Sequence, residues 1–322
     1  MTPANYKFGR DRILKKIKNT MQKWILLGGL MILMSNFVFG QITVTGENYR
    51  IFDGKGNPAT IDDITKAIEK TDVVFLGEQH DDAVAHALQF QIFKAVVEKY
   101  SKERKVALSM EMFERDVQIV VDEYLKDLIS ETHFLSSSRP WGNYKTDYRP
   151  LVELAKADNL PVIAANAPRR YVNMVSRLGR ESLDKLSADA KKWLAPLPYG
   201  EASETYAKKF DALMGQTSDS MTPVKHSPIL NSQTLWDATM AYSIAEFLKK
   251  NKNALVVHLN GSFHTESRLG TAEQLQKYDK KAKFLVVTMR YEDDFTKFDS
   301  AKDKDLGDFV ILTDAKIPRS QR

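Results

Sequence analysis

Six apolar runs punctuate the chain: "DVVFLGE" (72–78), "KVALSMEMF" (105–113), "LPVIAANAP" (160–168), "ALVVHLNG" (254–261), "KFLVVTMRY" (283–291) and "DFVILTD" (308–314). Each is close to continuously apolar rather than strictly alternating, which is the pattern of parallel strands covered on both faces. Helical periodicity fills the gaps. Val84, Leu88, Phe93, Val96 and Val97 fall near one face, and Val117, Val120, Val121, Tyr124, Leu125 and Leu128 do the same after Phe113. "SQTLWDATMAYSIAEFLKK" (232–250) predicts a third, longer helix. Strand–helix–strand alternation of this kind predicts an α/β fold with a largely parallel central sheet flanked by helices. The rhythm breaks over about 170–230, where "RESLDKLSADAKKWL" and "EASETYAKKFDALMG" read as helices before a Ser-, Thr- and Pro-rich loop. That stretch predicts a helical insertion forming a lid or wall within a single domain, 41–322. "SSSRPWGN" (136–143) reads as a loop, "DGKGNP" (53–58) as the turn of an edge hairpin, and "IPRSQR" as a frayed end.

Composition changes this picture little, and charge changes it once. The formal charge of +5 comes from the first 40 residues, which hold seven Lys/Arg and one acid and leave 40 basic and 41 acidic residues in the remainder. No nucleic-acid partner is expected from so balanced a body. In the N-terminal segment basic residues precede the apolar run "WILLGGLMILM" (24–34), followed by Val38 and Gly40 as small residues before a cut that leaves Gln41 first. This is the pattern of an export signal, 1–40, with Met21 as the expected start. The run of 16 residues from Trp24 to Phe39 falls short of the ~20 that a spanning helix needs. The body is therefore expected outside the cytoplasm, in the periplasm or cell envelope. The chain has no cysteine, so disulfides, thiolate metal sites and a lipoprotein anchor are excluded.

Candidate chemistry gathers where strands end, because ligands of parallel α/β sheets bind beyond the carboxyl ends of the strands. Two strands run into the same turn, "GEQH" and "GSFH", so that Gly77 leads to His80 and Gly261 to His264. If the fold brings the turns together, both histidines line one pocket, with Glu78 beside them. Glu111 ends the strand "VALSMEM", where a carboxylate is costly to bury unless it is paired or used. Asn166 and Arg169 follow the next strand. Asp81 and Asp82 suit the cap of the following helix, His86 could face either site or surface, and His258 reads as a core histidine. His133 and His226 fall in loops and carry no signal.

The segments "LGEQHDDAVAHALQFQIF", "LSMEMFERDVQIVVDEYL", "WGNYKTDYRPLVELAKADNLPVIAANAPR", "LWDATMAYSIAEFL" and "GSFHTESRLGTAEQL", in this order, resemble the ChaN family of haem-binding, iron-regulated proteins. That family belongs to the broader Tiki and erythromycin-esterase-like superfamily. The resemblance spans roughly 60–290 and implies an EreA/ChaN-like α/β fold. It also implies a central site at Glu78, His80, Glu111, Tyr148, Arg169 and His264. Haem is the implied cofactor, its iron held by His80, His264 or Tyr148, with Arg169 or Arg170 pairing a propionate. A homodimer and an outer-membrane haem or iron receptor are the partners the resemblance raises. The alternative is a hydrolase, a peptidase or esterase using Glu78, His80, Glu111 and His264, either around a divalent ion such as Mn, Co or Zn or without metal. The chain carries neither a Gly-x-Ser-x-Gly elbow nor a His-Glu-x-x-His helix.

Overall fold

The structure is a computed structural model, and it describes residues 44–214 and 227–321. The N-terminal export pattern and His226 lie outside the described residues. Eight strands form one sheet: β1 (Tyr49–Asp53), β2 (Pro58–Ala59), β3 (Val73–Glu78), β4 (Lys105–Glu114), β5 (Val162–Asn166), β6 (Ala254–Gly261), β7 (Phe284–Glu292) and β8 (Phe309–Asp314). Their order is β2-β1-β8-β7-β3-β6-β4-β5. The central pairings from β8 to β5 are parallel, and the hairpin β1–β2 adds an antiparallel edge. The fold is thus the α/β class with a largely parallel sheet.

The helices are α1 (Ile61–Ala67), α2 (Ala83–Tyr100), α3 (Gln118–Leu125), α4 (Glu131–Ser138), α5 (Arg149–Ala157), α6 (Arg169–Leu178), α7 (Glu204–Leu213), α8 (Pro228–Lys250) and α9 (Thr271–Tyr278). Side chains of a strand alternate between faces, and β3 shows the consequence. Val74 and Leu76 join a core with Val84, Leu88 and Ile92 of α2. Val73 and Phe75 join another with Met240, Ala241 and Ile244 of α8 and Leu275 of α9. Both faces are therefore dry, which explains runs that are apolar at every position. Each such side chain contributes about 1.5–3 kcal/mol on burial.

Two elements depart from the sequence pattern. The expected helix over "RESLDKLSADAKKWL" is instead a 3-10 stretch, Arg180–Lys185, and a single four-residue turn, Ala188–Lys191. Gly179 at φ +79° and the extended Leu186 (ψ 146°) interrupt the helical dihedrals. "SSSRPWGN" is not wholly a loop either. Helix α4 runs to Ser138 and stops at Arg139, which is left-handed at φ 53°, and Tyr144–Tyr148 wind as a π-helix. The last residues are docked rather than frayed: the Ser320 backbone N–H donates to the Asp81 carbonyl at 2.9 Å.

Candidate functional site

The two Gly-x-x-His turns meet because their strands are neighbours. β3 and β6 run parallel, with Gly77 opposite Asn260 and Glu78 opposite Gly261. Each glycine makes room for the other turn. A Cβ on Gly77 would lie 2.9 Å from Ser262 Cα and 3.2 Å from Thr265 Oγ1 of the second turn. A Cβ on Gly261 would lie 2.7 Å from both Cε1 and Nε2 of His80 and 3.7 Å from Cδ2 of His264. Both imidazoles therefore edge onto one point, at the floor of a cavity of about 1010 Å³. Glu78, His80, Glu111, Asn166, Arg169 and His264 all line it. Trp141, Trp236, Phe210 and Phe263 supply apolar wall, and α6 and α7 of the expected insertion contribute Val172, Asn173, Ser176, Phe210 and Leu213.

The two histidines are not equivalent. The His80 Nδ1–H donates to Glu78 Oε1 at 2.9 Å, and its ring stands edge-on to Trp141 at 4.8 Å. A carboxylate on Nδ1 fixes the tautomer that leaves Nε2 with its lone pair, and Nε2 faces Gly261. His264 has carboxylates at both nitrogens: Nδ1 is 2.7 Å from Asp237 Oδ1 and Nε2 is 3.6 Å from Glu111 Oε1. Burial disfavours its charged form, but the Glu111 and Asp237 carboxylates outweigh burial and push it up to about 9. Both nitrogens of His264 thus face carboxylates.

Behind His80 lies a second layer. Glu78 is buried, and burial alone would raise its carboxyl. The charge of His86 and the hydrogen bond from His80 hold it well below the usual carboxylate range instead. His86 Nδ1 lies 3.2 Å from Glu78 Oε2, and His86 Nε2 lies 3.4 Å from Asp147 Oδ2. Burial opposes charge on His86 as well, but Glu78 pushes it up to about 9. Tyr148 corrects an expectation. It is buried, its hydroxyl donates to Glu78 at 2.5 Å, and it is not part of the cavity wall. Burial and the Glu78 charge raise its phenol well above the ordinary value, and its hydroxyl is bonded to Glu78. Glu111 is spent on structure too, accepting the Gly261 N–H at 2.7 Å.

Arg169 stands at the rim with its side chain 66% exposed, 3.7 Å from Glu114 and 6.0 Å from the Trp141 ring centroid. Arg170 is turned away, bonded to Asp116 at 2.5 Å and stacked on Tyr171. Asp82 caps α2, accepting from the Val84 and Ala85 N–H groups, while Asp81 lines the cavity. His258 is a core histidine. It is 2.8 Å from Ser109 Oγ, and burial, reinforced by the His264 charge, pushes it down to about 3. His133 is exposed and away from the cavity. Among the described residues no group of three or more His, Asp or Glu side chains is arranged to hold a metal ion. Glu78 and Glu111, named by the divalent-ion alternative, bond His80 and the Gly261 N–H respectively.

The sequence pattern left His86 open between site and surface, and it missed Asp237 and Gln233. Asp237 was visible as an acid inside the apolar face of "LWDATM". It is fully buried and accepts from His264, from Thr271 at 2.9 Å and from Tyr206 at 2.5 Å. His86 follows His80 by six residues on α2, within reach of its carbonyl at 3.2 Å. Gln233 left no signal in the pattern, and its carboxamide sits 3.2 Å from His264 Nε2.

A parallel α/β sheet with a half-apolar cavity at its carboxyl edge, floored by two carboxylate-bound histidines, defines a ligand-binding protein of the doubly covered sheet class. The chain belongs to the family described as haem-binding uptake, Tiki superfamily, ChaN, whose model matches residues 64–275. Among solved structures it is similar to ChaN of Campylobacter jejuni, reported with cofacial haem binding. The TM-score is 0.62 at 21% identity, over 84% of this chain and 98% of that one. An erythromycin esterase, EreC, in its open conformation is a more distant likeness: TM-score 0.42 at 11% identity, over 76% of this chain and 77% of that one. Comparison with curated proteins finds no match.

Proposed function

We propose that this protein binds haem in the cavity between the two Gly-x-x-His turns, with His80 as the protein ligand to iron. The observation that carries the assignment is the state of His80: Glu78 holds its Nδ1–H, and Nε2 faces a gap that any Cβ at position 261 would fill. Membership of a haem-binding family supports the cofactor. Four aromatic walls and a volume at the upper end of the ~300–1,000 Å³ usual for ligand pockets suit a large, flat, apolar guest. Bound haem supplies an iron with open coordination positions and two propionates. The residues supply the rest: His80 donates its lone pair, Glu78 raises the basicity of that imidazole, and Arg169 offers a forked cation at the rim to a propionate. His264, held between Asp237 and Glu111, contributes hydrogen bonding at the cavity floor. The basic-then-apolar N-terminal segment supports export, and on this reading binding takes place in the periplasm or cell envelope. A second copy of the chain and an outer-membrane receptor are the partners that this reading raises.

The test is a hemin titration of purified protein followed at the Soret band. A saturable shift is expected, with the axial-ligand signature lost in His80→Ala but kept, at weaker affinity, in His264→Ala. The reading fails if no saturable shift occurs or if His80→Ala leaves it unaltered. An ester or amide turnover abolished by His80→Ala, in protein that ignores hemin, would move the assignment to the hydrolase alternative.

A further inference from the structure

The end of the described chain is fastened to the back of the haem site. Ser320 makes two hydrogen bonds there: its N–H to the Asp81 carbonyl at 2.9 Å, and its hydroxyl to Asp147 Oδ1 at 3.0 Å. Arg319 places its guanidinium 3.5 Å from the ring centroid of Tyr291, a cavity-lining residue. Its Nη1 is 4.0 Å from Asp82, the cap of α2. Three of these contacts fall on the segment that carries His80 or on Asp147 behind it, and the fourth is on β7 at the cavity wall. From Asp147 the polar path continues inward. Asp147 Oδ2 accepts from Asn143 Nδ2 at 2.6 Å and lies 3.4 Å from His86 Nε2. His86 Nδ1 reaches Glu78 at 3.2 Å, and Glu78 accepts the His80 Nδ1–H at 2.9 Å. Asp147, His86 and Glu78 are all buried, so water does not substitute readily for a lost link.

We propose that Arg319 and Ser320 are positioning residues of the haem site, a strap that fixes the His80 turn and so sets how long bound haem is held. The proposal rests on the haem reading above. Neither residue touches the cavity floor. Their effect passes through the Asp81–Asp82 backbone and through Asp147. Residues 79–82 form the turn between β3 and α2, closed by the Asp82 N–H on the Gln79 carbonyl at 2.9 Å. The Ser320 N–H on the Asp81 carbonyl therefore ties the terminal segment directly to the turn that carries His80.

The experiment uses the full chain loaded with hemin, and release is followed by transfer to excess apomyoglobin. The double variant Arg319→Ala/Ser320→Ala is expected to release haem about tenfold faster, equivalent to ~1.4 kcal/mol. Its axial-ligand spectrum should become heterogeneous while its thermal midpoint stays within about 3 °C of wild type. Ser320→Thr, which keeps the hydroxyl, should retain slow release, as should Lys316→Ala on the exposed side of the same segment. Wild-type haem binding with unchanged release and spectrum in the double variant overturns this proposal alone. So does a loss that merely follows a fallen midpoint and is not spared in Ser320→Thr. Failure of the wild type to bind hemin overturns the haem reading and this proposal with it.

Discussion

Gly261→Ala adds one methyl group at the point where the two histidines meet. The backbone there sits at φ −60°, ψ 136°, which any residue adopts, so the change carries no backbone strain. Taken alone, it would stabilise by about 0.4–1 kcal/mol through a less flexible unfolded chain. The methyl carbon would, however, lie 2.7 Å from Cε1 and Nε2 of His80, against ~3.5–4.0 Å for comfortable carbon contacts. Something must move by about 1 Å. The His80 side chain, 30% exposed, yields more readily than the buried β6 backbone. Turning its ring weakens the 2.9 Å bond to Glu78, a charge-assisted bond worth about 1.5–3 kcal/mol. The two effects offset only in part, so urea unfolding should show a loss of about 0.5–2.6 kcal/mol. Haem affinity should not be spared, because the same motion removes Nε2 from the cavity axis. A fall of 10- to 100-fold, ~1.4–2.8 kcal/mol, is expected in the Soret titration. Unaltered affinity with an unaltered axial-ligand spectrum would refute the assignment of His80 Nε2 to the gap above Gly261. Gly77→Ala is the contrasting control. Its methyl meets the Ser262 backbone at 2.9 Å, which cannot swing aside, so about 1–3 kcal/mol of stability should be lost.

Tyr148→Phe removes the phenol that donates to Glu78. It should cost about 1–3 kcal/mol in denaturant unfolding yet leave the axial-ligand spectrum unchanged, whereas loss of the iron signature would restore Tyr148 as a ligand. Stability should peak near pH 6.5. His86 and His264 hold protons up to about 9 in the folded chain but only to about 6.5 when unfolded. Their contribution is complete below about pH 6.5 and declines as pH rises toward 9. His258, pushed down to about 3, binds its proton more tightly when unfolded, so stability also declines as pH falls from about 6.5. Urea unfolding at several pH values checks this, and stability rising steadily from pH 6.5 to 9 would contradict it. Gln118→Leu should destabilise by about 1–3 kcal/mol in the same assay. The Gln118 amide bonds both Val162 O and Ala164 N on β5 at the end of the sheet, at 2.8 and 2.7 Å, and Leu leaves that edge open. An unchanged unfolding midpoint would show that water satisfies the edge.

What the sequence determined by itself was local. Continuous apolar runs marked the six long strands, because a strand covered on both faces has no polar position to spare, and the repeated Gly-x-x-His turn marked where chemistry would sit. Tyr148 illustrates the limit. The family resemblance offered it as a ligand, and only the packing of the π-helical turn under Glu78 shows that its hydroxyl is already bonded to that carboxylate. Asp237 went unnoticed, and His86 was left undecided, for a related reason. An acid or a histidine on a helix acquires its role from a partner on another element, here His264 from β6 and Glu78 from β3. Tertiary structure alone decided that β6, 176 or more residues further along the chain, lies beside β3 rather than at an edge. Strand order is set by which crossovers bury the most apolar surface on both faces of the sheet, and no local pattern encodes it. That pairing, with each glycine clearing space for the opposite turn, is what turns two distant histidines into one site.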